Sequence, residues 1–197
     1  MGSFNVIGLG SSAGGLSPLK EILSRLPNKL NAAVVVVQHL PAMYESNLDR
    51  ILSKYTAMPV IKVTKNAHIE PGIVYVIAEG KFMTVKNRCL TIRKRLESEK
   101  INKAIDIFFT AMANDFRERS IGVILSGAGF DGIEGAHEIE RYDGLVIVQD
   151  PETAQFPLMP SALIANDHPD YILTPKDIAT KIIERIQKQS SNKIQYP

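Results

Sequence analysis

The chain has 197 residues, enough for one domain with a sizeable buried core. Its composition, 45% hydrophobic and 22% charged, is that of an ordinary globular protein in water. The net charge of +2 is too small to argue for nucleic acid or a membrane surface, and the lone Cys89 excludes an internal disulfide.

Cys89 reads as a small packing residue in a strand and fits a reducing compartment. No signal peptide precedes the first strand, and no apolar run approaches the length of a membrane span. A cytoplasmic protein without membrane insertion is expected.

Phe4 to Leu9 is the first strand expected. A glycine-rich turn follows, and Ser17-Pro18 is the expected N-cap and first position of a helix through Leu19, Ile22, Leu23 and Leu26. Ala32 to Val37 is an unbroken apolar run, as in a parallel strand covered on both faces. It ends in Gln38-His39-Leu40-Pro41. Glu45 to Tyr55 has helical spacing, and Pro59 to Val63 is a short strand. Asn66 to Gly72 is turn-rich. Ile73 to Ala78, Phe82 to Val85 and Arg88 to Ile92 read as a small antiparallel meander, about residues 73–92. Arg93 to Lys103 is a polar connection.

Ile105, Phe108, Phe109, Met112 and Phe116 form the core stripe of a helix, which places Asp106 and Asp115 on its wet face. Ile121 to Leu125 is a buried strand leading into Ser126-Gly127-Ala128-Gly129-Phe130-Asp131-Gly132, with a helix through Ile133 to Tyr142 after it. Leu145 to Val148 is a strand, residues 152–160 a loop, Ser161 to Ala165 a short helix and Tyr171 to Leu173 a last strand. Thr174-Pro175-Lys176-Asp177 is a capping box for the final helix through Ile178, Ile182 and Ile186, and a frayed tail is expected from Gln189. Strands alternating with helices give an α/β fold: a doubly wound, mostly parallel sheet with helices on both faces, plus the meander. The expected organisation is a single domain over residues 1–197 with its core at about 4–186.

Ligands of such sheets bind at the carboxyl ends of the strands. Three of these ends carry reactive groups: Ser11-Ser12 after strand one, His39 after strand two, and Asp131 after the strand at 121–125. A serine, a histidine and an aspartate on one edge are the parts of an acyl-transfer triad, since serine needs a base and the imidazole needs a carboxylate to fix its tautomer. A dinucleotide site is the alternative, because Gly8-Leu9-Gly10-Ser11-Ser12-Ala13-Gly14 is close to its glycine fingerprint. Gln38-His39 counts against it, standing where that fold needs an acidic residue for the ribose.

The chain resembles the catalytic domain of the chemotaxis protein-glutamate methylesterases, the CheB family. The resemblance is carried by Ile7 to Gly15, Val37-Gln38-His39-Leu40-Pro41, Leu125 to Gly132, Gln149-Asp150-Pro151 and Met159-Pro160, and runs from Phe4 to Ile186. Val37-Gln38-His39 and Gln149 to Ala154 are similar to the esterase domains of fused esterase–methyltransferase proteins. The resemblance implies Ser12 as nucleophile, His39 as general base and then acid, and Asp131 as the group orienting His39. The implied reaction is hydrolysis of glutamate methyl esters on a chemoreceptor or similar signalling protein, with deamidation of receptor glutamines in some members. It implies no metal or organic cofactor, and a receiver or methyltransferase domain as partner in cis or in trans. Strand one begins so early that no receiver domain is expected ahead of it. Ala13 stands where chemotaxis members often have threonine, and Ala128 and Phe130 where methionine and asparagine are common.

The backbone N–H of Ala13, next after Ser12, is the candidate oxyanion donor. His68, His137 and His168 match no metal spacing and read as structural or solvated. Lys86, Arg88, Arg93, Lys94 and Arg95 form a basic cluster that is either a solvated face or a docking patch for an acidic receptor. Met159 and Phe156 either line the substrate cleft or pack their own loop. A catalytically quiet scaffold module with the same fold, and a hydrolase for another ester, remain as alternatives.

Overall fold

The structure is a computed structural model and describes residues 3–191. Its strands are β1 (Asn5–Ser11), β2 (Ala32–Gln38), β3 (Val60–Val63), β4 (Ala67–His68), β5 (Val74–Ile77), β6 (Lys81–Lys86), β7 (Cys89–Lys94), β8 (Ser120–Ile124), β9 (Leu145–Gln149) and β10 (Tyr171–Leu173). Its helices are α1 (Leu16–Arg25), α2 (Leu48–Leu52), α3 (Ala104–Phe116), α4 (Ile133–Arg141), α5 (Leu158–Asn166) and α6 (Pro175–Ser191). A seven-stranded sheet runs in the order β10-β9-β8-β1-β2-β5-β3, and each of its pairings is parallel. From β1 the chain adds β2, places β3 at the edge and fills the gap between them with β5, then returns to build β8, β9 and β10 on the other side. The switch in strand order therefore falls between β1 and β8, which is where such sheets open a crevice.

The two faces of the sheet sort by alternation along each strand. Ile7 and Leu9 of β1 face α1, α2 and α6, against Leu19, Ile22, Leu52, Ile178 and Ile182. Val6 faces the other way, towards α3, α4, α5 and the small antiparallel sheet, which contribute Phe108, Phe109, Ile139, Leu163, Phe82 and Leu90. On that same face β1 and β8 carry glycines. A Cβ at Gly8 would lie 2.6 Å from the Phe109 ring, one at Gly10 2.7 Å from Ile105, and one at Gly122 2.5 Å from Ile139. The missing side chains let α3 settle deep against the middle of the sheet. This also disposes of the dinucleotide fingerprint, because Gly8 and Gly10 lie inside a strand and serve helix packing, whereas the fingerprint needs them at a phosphate-binding turn.

The antiparallel part is present with a different membership. β5 joins the parallel sheet between β2 and β3, and its place beside β6 and β7 is taken by the two-residue β4, from the stretch read as turn. The burial pattern explains this. All of Val74 to Ile77 is buried, as an interior parallel strand requires, whereas β6 buries Phe82, Met83 and Val85 and exposes Thr84 and Lys86. The hairpin-like Glu79-Gly80-Lys81 instead connects the two sheets.

Several element ends also differ from expectation. α1 starts directly after Gly15, so Ser17 and Pro18 lie within its first turn, where a missing N–H is tolerated. α2 is only five residues, because Glu45 to Asn47 belong to a loop held by the Lys62 ammonium, which donates to the Ser46 carbonyl at 2.8 Å. α5 begins at Leu158 and takes in Met159 and Pro160. At α6 the Thr174 hydroxyl accepts the Asp177 N–H at 3.3 Å, one half of the capping box, and donates to the Asp177 carboxylate at 2.7 Å. Gln189 to Ser191 continue the helix where fraying was expected, because the Gln189 side chain bonds Asn5 and, at 2.8 Å, the Glu118 carbonyl. The rest of that tail lies outside the described residues. Among the described residues, no helix is long and apolar enough to cross a membrane.

α4 crosses α3 at Gly135, where a Cβ would lie 2.4 Å from Phe109 Cβ and 3.2 Å from the Asp106 backbone. Neither neighbour is the free end of a flexible side chain. Gly135→Ala is expected to lower the unfolding free energy by about 1–3 kcal/mol, read from urea denaturation, because the helices must move apart.

Candidate active site

β1 and β2 run in parallel register to their ends, with Ser11 opposite Gln38. The next residues are Ser12 and His39, and the ladder continues there, since His39 N–H donates to the Ser11 carbonyl at 3.0 Å. Ser12 N–H donates the other way, to the Ser126 carbonyl at 3.0 Å, so the serine sits at the mouth of the β1–β8 crevice. Asp131 comes from the loop between β8 and α4. Its Oδ2 lies 2.7 Å from His39 Nε2, with the two side chains only 4% and 17% exposed. With Nε2 taken by Asp131, Nδ1 is the ring nitrogen left for the serine. Among the described residues the Ser12 hydroxyl has no hydrogen-bond partner. Bonds of this kind commonly tighten only around bound substrate.

The adjacent Ser11 is fully buried, and its hydroxyl donates to Gln38 Oε1 at 2.6 Å. Gln38 Nε2 in turn donates to the Ser12 carbonyl at 2.6 Å. Gln38 thus clamps the turn from below. Gln149, at the end of β9, does the same for the next loop. Its Oε1 accepts the Ser126 N–H at 2.9 Å and its Nε2 donates to Thr153. Ser126 links the two loops, donating to the Ala13 carbonyl at 2.9 Å and accepting the Phe156 N–H at 3.0 Å. The sequence signal for the two glutamines is a polar residue closing an otherwise apolar strand, as in Ala32 to Gln38 and Leu145 to Gln149. The turn itself passes through Gly14 with φ at 72°, a conformation that glycine adopts without strain. Neither Ala13 nor Gly14 N–H has a partner among the described residues, so both are free to donate to a ligand.

Asp131 owes its position to α3. Its Oδ2 accepts the Ile105 N–H at 2.8 Å and its Oδ1 the Asp106 N–H at 2.9 Å, two of the donors a helix N-terminus leaves unsatisfied. Asp106 does not lie on a wet face. It is buried, and its Oδ1 accepts the Gly132 and Gly135 N–H groups at 2.9 and 3.0 Å, at the start of α4. The apolar period misplaced it because the first turn of α3 points into the site. Burial pushes the Asp106 carboxyl up to about 6, against the Gly135 bond and with the Asp131 charge adding to the rise. Asp115 is half-buried, and its carboxylate holds the β6–β7 turn through the Asn87 and Arg88 N–H groups at 2.8 and 2.9 Å.

A cleft of about 530 Å³ opens beside His39 and Asp131, walled by Ile101, Lys103, Ala128 and Phe130. Phe130 is 64% and Ile101 73% exposed, so the rim is apolar. Met159 is buried under Gly127, and Phe156 is exposed at the edge of its loop; neither belongs to that wall. The basic cluster divides. Arg93 pairs with Glu99 at 2.7 Å, Arg95 donates to the Glu99 and Lys100 carbonyls, and Lys86 and Arg88 sit at the β6–β7 turn. His68 lies in β4, His137 stands beside Asp167 at 3.3 Å and His168 is exposed. Among the described residues, no three His, Cys, Asp or Glu side chains gather as a metal site.

A family model described as CheB methylesterase matches residues 7–182. A putative protein-glutamate methylesterase/protein-glutamine glutaminase of Leptospira interrogans is 33% identical, over 92% of this chain and 94% of that protein. A protein-glutamate methylesterase/protein-glutamine glutaminase of Thermotoga maritima is 34% identical over 93% of this chain, which spans only 55% of that relative. The crystal structure of the Thermotoga maritima CheB methylesterase catalytic domain superposes with a TM-score of 0.83 at 31% identity, covering 93% of this chain and 99% of that one.

Two outcomes follow from the geometry. Gln38→Leu leaves the Ser11 hydroxyl and the Ser12 carbonyl unpaired, and is expected to lower stability by about 1–3 kcal/mol in urea denaturation. Asp106 has a folded-state pKa of about 6, above its ordinary 3.8, so the unfolded chain ionises first. Its contribution to stability therefore falls as pH rises from about 4 to about 6 and is flat above. Asp106→Asn removes that dependence. The difference in urea midpoint, variant minus wild type, should grow in the variant's favour across that window and then level off.

Proposed function

The chain belongs to the CheB methylesterase family, and from that membership we propose that it is a serine esterase hydrolysing glutamate methyl esters on a chemoreceptor or similar signalling protein. The observation that carries the reading is the bond of 2.7 Å between His39 Nε2 and Asp131 Oδ2, made at the strand end next to Ser12. In the proposed reaction Ser12 Oγ attacks the ester carbonyl carbon while His39 Nδ1 takes its proton. Asp131 stabilises the imidazolium that forms. The carbonyl oxygen becomes an oxyanion facing the Ala13 N–H, with Gly14 N–H as its neighbour; one such donor is worth about 3 kcal/mol in the transition state.

The tetrahedral intermediate collapses by expelling methoxide, which leaves as methanol with the proton from His39. His39 then deprotonates a water that attacks the acyl-enzyme, and the second collapse frees the glutamate carboxylate and returns the proton to Ser12. A glutamine side chain entering the same site would release ammonia in the first step. This sequence uses no metal or organic cofactor. The apolar rim of Phe130 and Ile101 supports a protein partner, and a receiver or methyltransferase domain in cis or in trans fits as its regulator. The proposed setting is two-component chemotaxis signalling in the cytoplasm.

Methanol release from methylated receptor membranes tests this. Ser12→Ala is expected to lose ~10³-fold or more, the scale of removing a triad member. Ser11→Ala should lose far less, because Ser11 is buried and bonded to Gln38. Wild-type protein that binds the receptor but releases no methanol would point to the scaffold reading. Equal release by wild type and Ser12→Ala would sink the assignment of the nucleophile.

A further inference from the structure

The carboxylates of Asp106 and Asp131 are exchanged between two helices. Asp131 lies just before α4 and takes the first-turn N–H groups of α3, at Ile105 and Asp106. Asp106 lies in that first turn of α3 and takes the N–H groups of Gly132 and Gly135 at the start of α4. Each carboxylate fixes the backbone that carries the other. Gly132 is the residue next to Asp131 and has φ at 107°, so holding its N–H fixes the backbone from which the Asp131 side chain projects. Both groups are within the wall of the same cleft as His39.

We propose that Asp106 is a positioning residue for the His39–Asp131 pair: its carboxylate locks the start of α4 so that Asp131 addresses His39 Nε2. This rests on the esterase reading for its purpose, although the bonds themselves do not depend on it. The exchange explains a buried carboxylate that neither touches His39 nor contacts Ser12. The charged groups facing Asp106 are Asp131 from the β8–α4 loop, Glu134 from α4, and Lys103 from the start of α3, with His39 beyond Asp131. Lys103 is committed to Glu134 at 2.8 Å.

The test uses the full chain as wild type, Asp106→Asn, Asp106→Ala and, for reference, Asp131→Asn. Two readouts are taken. Nitrogen-15 NMR of the His39 ring reports which nitrogen holds the proton in the neutral form. The rate at which a fluorophosphonate probe labels Ser12 reports how well the pair is placed to act. Wild type should hold the proton on Nε2. Asp106→Asn keeps an acceptor for Gly132 and Gly135, so Nε2–H and the labelling rate should persist. Asp106→Ala loses the lock. It should lose the Nε2–H preference and label about 10²-fold more slowly, the scale of a misplaced catalytic group, while Asp131→Asn, which removes the carboxylate itself, should lose ~10³-fold or more.

A folded Asp106→Ala with wild-type tautomer and labelling rate would overturn the proposal. If that variant does not fold, Asp106→Asn decides alone, and loss of the Nε2–H preference despite the retained acceptor would overturn it. The tautomer readout needs no ester substrate, so failure of the methylesterase reading would leave this result standing and the two failures can be told apart.

Discussion

Helix α3 lies against positions of the sheet that carry no side chain, at Gly8, Gly10 and Gly122. That contact sets the depth of the helix, and the depth sets where its first turn comes out. It emerges at the carboxyl edge, with the Ile105 and Asp106 N–H groups aimed at the β8–α4 loop. A carboxylate is the group such a helix end favours, through hydrogen bonds and the helix dipole together. Asp131 fills that place and passes the constraint to His39. A packing decision made by glycines in the core thus reaches the proposed reaction centre through one helix, in three steps.

The loops around the serine are rigid for a different reason. They are surface loops, but their carbonyls and amides are tied to side chains rooted in the sheet. Gln38 rises from β2 and Gln149 from β9, while Ser126 is fully buried between the two loops it joins. A strand end is the most rigid place from which to hold a loop, and an amide side chain can both give and accept. Among the described residues the Ser12 hydroxyl and the Ala13 and Gly14 amides are left without partners, while Ser11, Gln38, Ser126 and Gln149 are all paired. Preorganised donors of this kind need no rearrangement when charge develops.

Much of this was legible in the order of residues. The unbroken apolar runs at 32–37 and 121–125 announce interior parallel strands, and the reactive residues follow those runs directly. The rule that such sheets bind at one edge makes their convergence an expectation. What escaped notice was set by tertiary contact. Val74 to Ile77 looked like part of a meander because Glu79-Gly80-Lys81 resembles a hairpin turn, and only burial on both faces decides otherwise. Asp106 sits at a helical position that the apolar stripe assigns to water, yet the stripe says nothing of a loop covering the first turn. Ser17-Pro18 is a sound capping pair by local chemistry, but Gly15 ends the turn earlier and the helix begins there. Local rules failed where a second element supplied the missing partner.

The parallel order of the large sheet has a consequence for how the chain is made. β1 pairs with β8, so Ser12 meets the Ser126 carbonyl only after the whole intervening chain has been synthesised and folded. Pairings of such long separation are the slow ones, since the entropy of closing the loop comes first and the contact later. β1 and β2 pair through nearby chain and can form early, which brings Ser12 and His39 side by side with no carboxylate present. Asp131 arrives with β8 and α4. A nascent or truncated chain would therefore hold a serine and a histidine without the group that completes them, and competence for chemistry becomes a late event in the life of the molecule, coincident with closure of its core.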